Sequence, residues 1–369
     1  MLRRTSQALT VLFLLAATSS VFATTVTINI DSAKAVLDAL QNPHITREAC
    51  LKIAAMPGNQ GIIRKTNEFK ILANNELFAE ALYDAALGVT VTDLEKRIYF
   101  FDTVKQKVPE LRALLHDIEA NPENFQKQIE RRIALFTPEG ADLHLQGYVI
   151  AGGDGGGYAF GSTDFYLNIG RTDEFVVMKT VTTHELYHAV QGAFAKDRGT
   201  IDELPPVDGL PHAQQVCMKT AQLFANIYEE GSAVYVEDIS LLKQAHSEGG
   251  MRQKVDLTDG IQHAHTSVSL LEMSVLSFDA LDAMSYDDVY DVGFYGHAIL
   301  YNVAYVMAKA VADQEGPQGL TAYLKRPPYY FILGYTKLAA YGKDKDHPLL
   351  GPNTVAAAER LAKGCPSGS

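Results

Sequence analysis

Residues 184–188 read His-Glu-Leu-Tyr-His. On a helix, positions i and i+4 share one face a turn apart, so His184 and His188 aim two imidazoles at one point. Imidazole nitrogen binds zinc at about 2.0–2.1 Å, and two such ligands make half of a four-coordinate site. Glu185 is turned away from that line but within reach of a water that the ion polarises, where its carboxylate serves as general base. The spacing predicts one helix over residues 175–194 with the motif at mid-length. Val177, Val181, Ala189 and Val190 mark that helix as mostly buried, and buried His and Glu need partners. A catalytic zinc site takes a third protein ligand and leaves one position open.

That ligand must come from elsewhere in the chain. Gln191 and Phe194 stand where the metzincin extension requires Gly and His, which excludes that branch. Downstream, residues 228–235 read Tyr-Glu-Glu-Gly-Ser-Ala-Val-Tyr. Here the sequence resembles the gluzincin metallopeptidases, which pair H-E-x-x-H with a later glutamate on a second helix, often within E-G-x-A. Glu230-Gly231-Ser232-Ala233 fits that pattern. The resemblance implies that Glu230 is the third ligand to Zn2+. Glu229 is the alternative, since one residue turns a helical side chain by about 100°. Glu237 and Asp238 are expected on a solvated acidic face of the same helix. Tyr290-Asp291-Val292-Gly293 resembles the Y-x-x-G segment of aminopeptidase-like gluzincins, which implies that Tyr290 stabilises the oxyanion. A phenol suits the role because it donates a hydrogen bond to developing negative charge without carrying charge itself. Tyr295 and His297 stand close by, His297 as a second donor. The resemblance spans about residues 140–312 and extends to a group of zinc-dependent peptidases among bacterial exported proteins. It also implies that the strand at residues 164–169 is the sheet edge on which an extended peptide pairs.

The elements that must position these residues follow from the patterning. Residues 25–30 alternate as a half-buried strand does. Helical periodicity follows to about residue 138, with Ser32 as the cap of the first helix and Pro109 as a break. Strands are expected at 143–151 and 164–169, and helices at 213–244 and 295–312. The glycine-rich stretch 152–161 fits neither G-x-G-x-x-G nor a following Gly-Lys-Ser/Thr, so it reads as a flexible connection between strands. His263 and His265, in Gln-His-Ala-His-Thr, are expected on opposite sides of a strand. His212, His246 and His347 are read as loop histidines. The expected class is α+β and predominantly helical: a leader at 1–23, a mainly helical region at 24–139 and a catalytic region at 140–369. By the resemblance that last region is zincin-like, with a small sheet and an active-site helix.

Composition narrows the function classes. The 369 residues carry 32 Lys+Arg against 44 Asp+Glu, a net charge of −12, and phosphate binding needs the reverse. No nucleic-acid partner is expected. Apolar residues at 47% and charged residues at 21% exclude a disordered chain. No apolar run reaches the ~18 residues that span a bilayer. Residues 1–23 combine Arg3-Arg4, a short apolar stretch and Val21-Phe22-Ala23, the pattern of a cleaved secretory leader. An exported, periplasmic or secreted protein without a stable membrane anchor is expected. Cys50, Cys217 and Cys365 then allow one bridge and one free thiol. The sequence thus points to an exported zinc metallopeptidase acting on peptides or proteins. A zinc hydrolase of a non-peptide amide or ester and an inactive peptide-binding relative are the alternatives.

Overall fold

A four-stranded sheet organises the chain. In the computed structural model the residues described are 24–365, apart from 91–92, 161, 173, 200–204 and 297. The expected leader and His297 therefore lie outside the described residues. The elements run β1 (Thr25–Asn29), α1 (Asp31–Leu40), α2 (Arg47–Ala54), α3 (Pro57–Glu68), α4 (Asn75–Leu87), α5 (Leu94–Arg97), α6 (Phe101–Gln106), α7 (Val108–Ala120) and α8 (Gln126–Leu135). The sheet resumes with β2 (His144–Ile150), β3 (Gly157–Ala159) and β4 (Asp164–Asn168). Then follow α9 (Phe175–Ala193), α10 (Ala195–Arg198), α11 (His212–Val236), α12 (Glu248–Gln262), α13 (Ala264–Phe278), α14 (Tyr286–Tyr290), α15 (Ile299–Thr321), α16 (Tyr329–Tyr335) and α17 (Pro352–Ala362). The class is α+β and predominantly helical. No helix of the described residues is long and apolar enough to cross a membrane.

The strand order is β1-β2-β4-β3, with β1, β2 and β4 parallel and β3 antiparallel to β4. β4 is therefore an inner strand, and β3 forms the edge that the sequence reading assigned to residues 164–169. Three residues, one of them glycine, give β3 too little β-forming character to stand out in the sequence. Side chains alternate across the sheet. Tyr148, Tyr166 and Tyr158 stack in a ladder on one face, where Gly61 of α3 lies so close that a Cβ would fall 2.0 Å from the Tyr166 ring. Gly157 points to the other face, toward α9. α3 thus covers one side of the sheet that carries the motif helix on the other, α8 packs beside the motif helix, and one apolar core joins them.

Local details depart from the sequence reading where tertiary contacts decide. α1 starts at Asp31, so Ser32 lies inside it, and its hydroxyl accepts the Gly58 N–H at 3.1 Å instead of capping. Pro109 opens α7 at a position where its missing N–H costs nothing. His263 and His265 sit at the junction of two helices, not on a strand. His212 begins α11 and meets Asp279 at 3.0 Å. The loop after β2 does join strands, but Asn168 clasps it: its amide donates to Gly153 O and Gly155 O at 3.0 Å, and its oxygen accepts Gly152 N–H at 3.1 Å. Cys217 and Cys365 form a disulfide, and Cys50 is a buried free thiol.

Candidate metal centre

Two helices, α9 and α11, build the centre. The first half of α9 is rich in β-branched residues, which are mediocre helix formers. Burial on several sides overrides that preference, and the Thr180 and Thr183 hydroxyls donate back to Val177 O and Lys179 O at 2.9 and 2.8 Å. On this helix His184, His188 and Gln191 follow one face at i, i+4 and i+7. α11 brings Glu230 and, two turns later at its C-terminal cap, Glu237. Gly231 has a packing role: a Cβ there would lie 2.4 Å from the Ala304 backbone, so glycine lets α11 and α15 close on each other. The end of α11 is held from the other side of the chain. Arg132 of α8 donates to Val236 O and Tyr235 O at 2.8 and 2.9 Å, satisfying carbonyls a helix terminus leaves open.

Three lone-pair donors converge. The Nε2 atoms of His184 and His188 are 3.0 Å apart, and Glu230 Oε2 lies 3.4 Å from each. A tetrahedral ion with bonds of about 2.0–2.1 Å spaces its ligand atoms by roughly 3.3 Å, so this triangle fits zinc. Glu230 Oε2 is buried and has no hydrogen-bond partner, a costly arrangement for a carboxylate unless a cation completes it. Burial disfavours its charge, yet the His188 and His184 imidazoles hold Glu230 well below the usual carboxylate range. An ion in the triangle supplies the same field. Glu229, the alternative ligand, is engaged elsewhere, in an ion pair with the buried guanidinium of Arg198.

The outer partners set both tautomers. Glu237 Oε2 accepts from His184 Nδ1 at 2.9 Å. Glu237 is buried, only 5% exposed, which corrects its expected place on a solvated face. Gln191 Oε1 accepts from His188 Nδ1 at 2.7 Å, while its amide donates to Glu229 O and Ser232 Oγ at 2.8 and 2.9 Å. Those two acceptors dictate which way the amide points. With the protons on Nδ1, both Nε2 lone pairs face the triangle. Burial resists charge on His184, but Glu230 and Glu237 raise its pKa well above the ordinary histidine value.

Glu185 faces the same space, and burial pushes its carboxyl above the usual range. Edge strand β3 presses on it: a Cβ on Gly157 would lie 2.8 Å from Glu185 Cγ. Two cavities flank the centre, and His184, Glu185 and Tyr301 line both. One, of about 650 Å³, is polar and runs past β3, Gln191, Arg198 and Glu229 to Arg64 and Glu68 of α3. The other, of about 610 Å³, lies between α9, α11 and α12. Tyr290 ends α14 and stacks on Phe294 at 5.6 Å. Burial, then the Glu230 charge, pushes its phenol up to about 12. Tyr295 is 74% exposed and lines neither cavity. The sequence reading missed Tyr301, Gln191 as an imidazole partner, and Glu237. The last had a legible signal, since seven residues from Glu230 returns to the same helix face.

No curated protein and no solved structure matches this chain. A family model matches residues 51–344, a span that contains every residue of this centre, and the chain belongs to that family, DUF5700, described as "putative zinc dependent peptidase".

Proposed function

We propose that this chain is an exported zinc peptidase that holds the metal with His184, His188 and Glu230 and uses Glu185 as general base. The observation that carries the reading is the triangle of two imidazole nitrogens and an unpartnered carboxylate oxygen beside a half-buried second carboxylate, under a free sheet edge. Zinc bound there supplies a Lewis acid that polarises the scissile carbonyl and brings the pKa of water toward neutrality. Glu185 takes the proton from the attacking water and returns it to the leaving amine. An extended peptide adds to β3, whose outer side has no strand partner among the described residues, so its backbone is fixed by main-chain hydrogen bonds. That edge favours a peptide over a small amide or ester. Tyr286, Tyr290 and Tyr301 all feel the Glu230 charge, and of these Tyr290 and Tyr301 are the candidates for donating to the oxyanion. Tyr301 lines both cavities and so meets substrate more directly. Export is supported by the Cys217–Cys365 bridge, since disulfides persist in oxidising compartments.

Glu185→Gln tests the reading. The variant should keep its zinc and lose about 10²–10⁴-fold in kcat on a peptide substrate. Near wild-type turnover would remove Glu185 from the role. Comparing Tyr290→Phe with Tyr301→Phe assigns the oxyanion donor, as the one whose loss lowers kcat without moving KM.

A further inference from the structure

The cavity between α9, α11 and α12 differs in kind from its neighbour. Its walls are Val181 of α9, Val234 of α11, Leu257 of α12, Ala298 and the Tyr301 ring. At its inner end are His184 and Glu185, so whatever fills it lies beside the reacting centre. Its volume of about 610 Å³ falls in the range of ligand sites, roughly 300–1,000 Å³.

The cavity is built by how α12 is attached. At one end, Glu174, just before α9, accepts the His246 and Ser247 N–H groups at 2.9 Å, immediately ahead of α12. Gly250 then presses on Ala245 and Val177, where a Cβ would come within 2.8 and 2.9 Å. At the other end, a Cβ on Gly260 would lie 2.1 Å from Asn302 Oδ1 of α15. Glycine brings both ends against the body, and between them α12 stands off from the motif helix. The face it turns inward carries Gly249, Arg252, Gln253, Asp256 and Leu257, spaced by three to four residues. The charges on this face oppose one another: Arg252 pairs with Glu248 at 3.0 Å, and Asp256 is a single acid beside it. Of the other two acids on the lining, Glu237 is committed to His184, and Glu185 belongs to the reacting centre. Asp256 and Gln253 of α12 and Asn302 of α15 put polar groups on one side of the lining, and the larger part of the wall is apolar.

We propose that this cavity is the pocket that selects the substrate, taking a large apolar side chain (Phe, Leu or Met) from the residue next to the scissile bond. The proposal rests on the peptidase reading, and it assigns α12 to specificity and not to catalysis. The polar cavity on the other side then takes the main chain along β3 and polar residues beyond it.

The test uses zinc-loaded protein and a set of dipeptide hydroxamates that differ in one side chain, Phe, Leu, Ala or Lys, with acetohydroxamate as the probe that has none. Binding is read by calorimetry, so no turnover is needed. The Phe and Leu probes should bind roughly tenfold or more tighter than Ala and Lys, the discrimination an apolar pocket gives. Leu257→Asp should reduce that preference to less than threefold and leave acetohydroxamate affinity unchanged. Leu257→Trp, which keeps the wall apolar, should instead fill the space and favour Ala over Phe. Equal affinities across the set, a Lys preference, or a Phe preference untouched by both Leu257 variants would overturn the proposal. Peptide hydrolysis is scored separately: selective binding without hydrolysis refutes the peptidase reading and leaves an apolar binding pocket. Hydrolysis without selectivity refutes the pocket alone.

Discussion

The two ends of the motif helix are held in different ways. At the His184 end the imidazole leans on a buried carboxylate, Glu237, and the space beyond is apolar. At the His188 end it leans on a neutral amide, Gln191, and the space beyond is polar, with Glu229 neutralised by Arg198. Both partners dictate the same tautomer, so orientation alone does not require the carboxylate. What Glu237 adds is negative charge, which would raise the basicity of His184 toward a metal and help offset the charge of a divalent ion bound there. The Arg198–Glu229 pair does the reverse, removing a second acid from the vicinity of the triangle. One helix face thus balances its charge through one outer carboxylate bonded to an imidazole and one paired with a guanidinium.

Breaking the paired end should cost most. Arg198 is 1% exposed, donates to Gln191 O at 2.7 Å and pairs with Glu229. Arg198→Met strands the Glu229 charge, and we expect a loss of about 3 kcal/mol in chemical denaturation. Adding Glu229→Gln should restore most of it, and a double variant no more stable than the single one would show that the guanidinium acts through packing. Between the two ends, Gly157→Ala should push on Glu185. Up to about 10²-fold in kcat is expected from displacement of the base, with zinc content unchanged. A variant with normal kcat would show that β3 can move away from α9. The smallest effect sharpens the contrast itself. Glu237→Gln gives His184 the same neutral acceptor that His188 has. Zinc affinity should fall about tenfold with the fold intact, as read by competition with a chromogenic chelator. Unchanged affinity would mean that geometry is all that Glu237 supplies.

The sequence was most legible where local periodicity decides. His184, Glu185 and His188 lie on the helix that their spacing predicts, and Asn75–Leu87 forms a helix with those ends. Glu230 was found through motif resemblance, and the geometry separates it from Glu229 because its carboxylate meets both imidazoles while Arg198, thirty-one residues from Glu229, takes the neighbour. Glu237 was misplaced because a run of acids near a helix end reads as surface until the docking of α8 and α9 is known. β3 escaped notice because its glycine, required by contact with Glu185, is a poor strand former. Tyr301 belongs to an apolar-rich helix and had nothing local to distinguish it from a core aromatic. Each of these depends on packing between elements far apart in the chain, which periodicity does not encode.

The central claim is that one divalent cation sits among His184, His188 and Glu230. Metal analysis of the purified protein beside its Glu230→Ala and Glu229→Ala variants tests it most directly. One zinc per chain is predicted for the wild type and for Glu229→Ala, and far less for Glu230→Ala. Zinc retained by Glu230→Ala but lost from Glu229→Ala would contradict the account, as would a wild type that binds none.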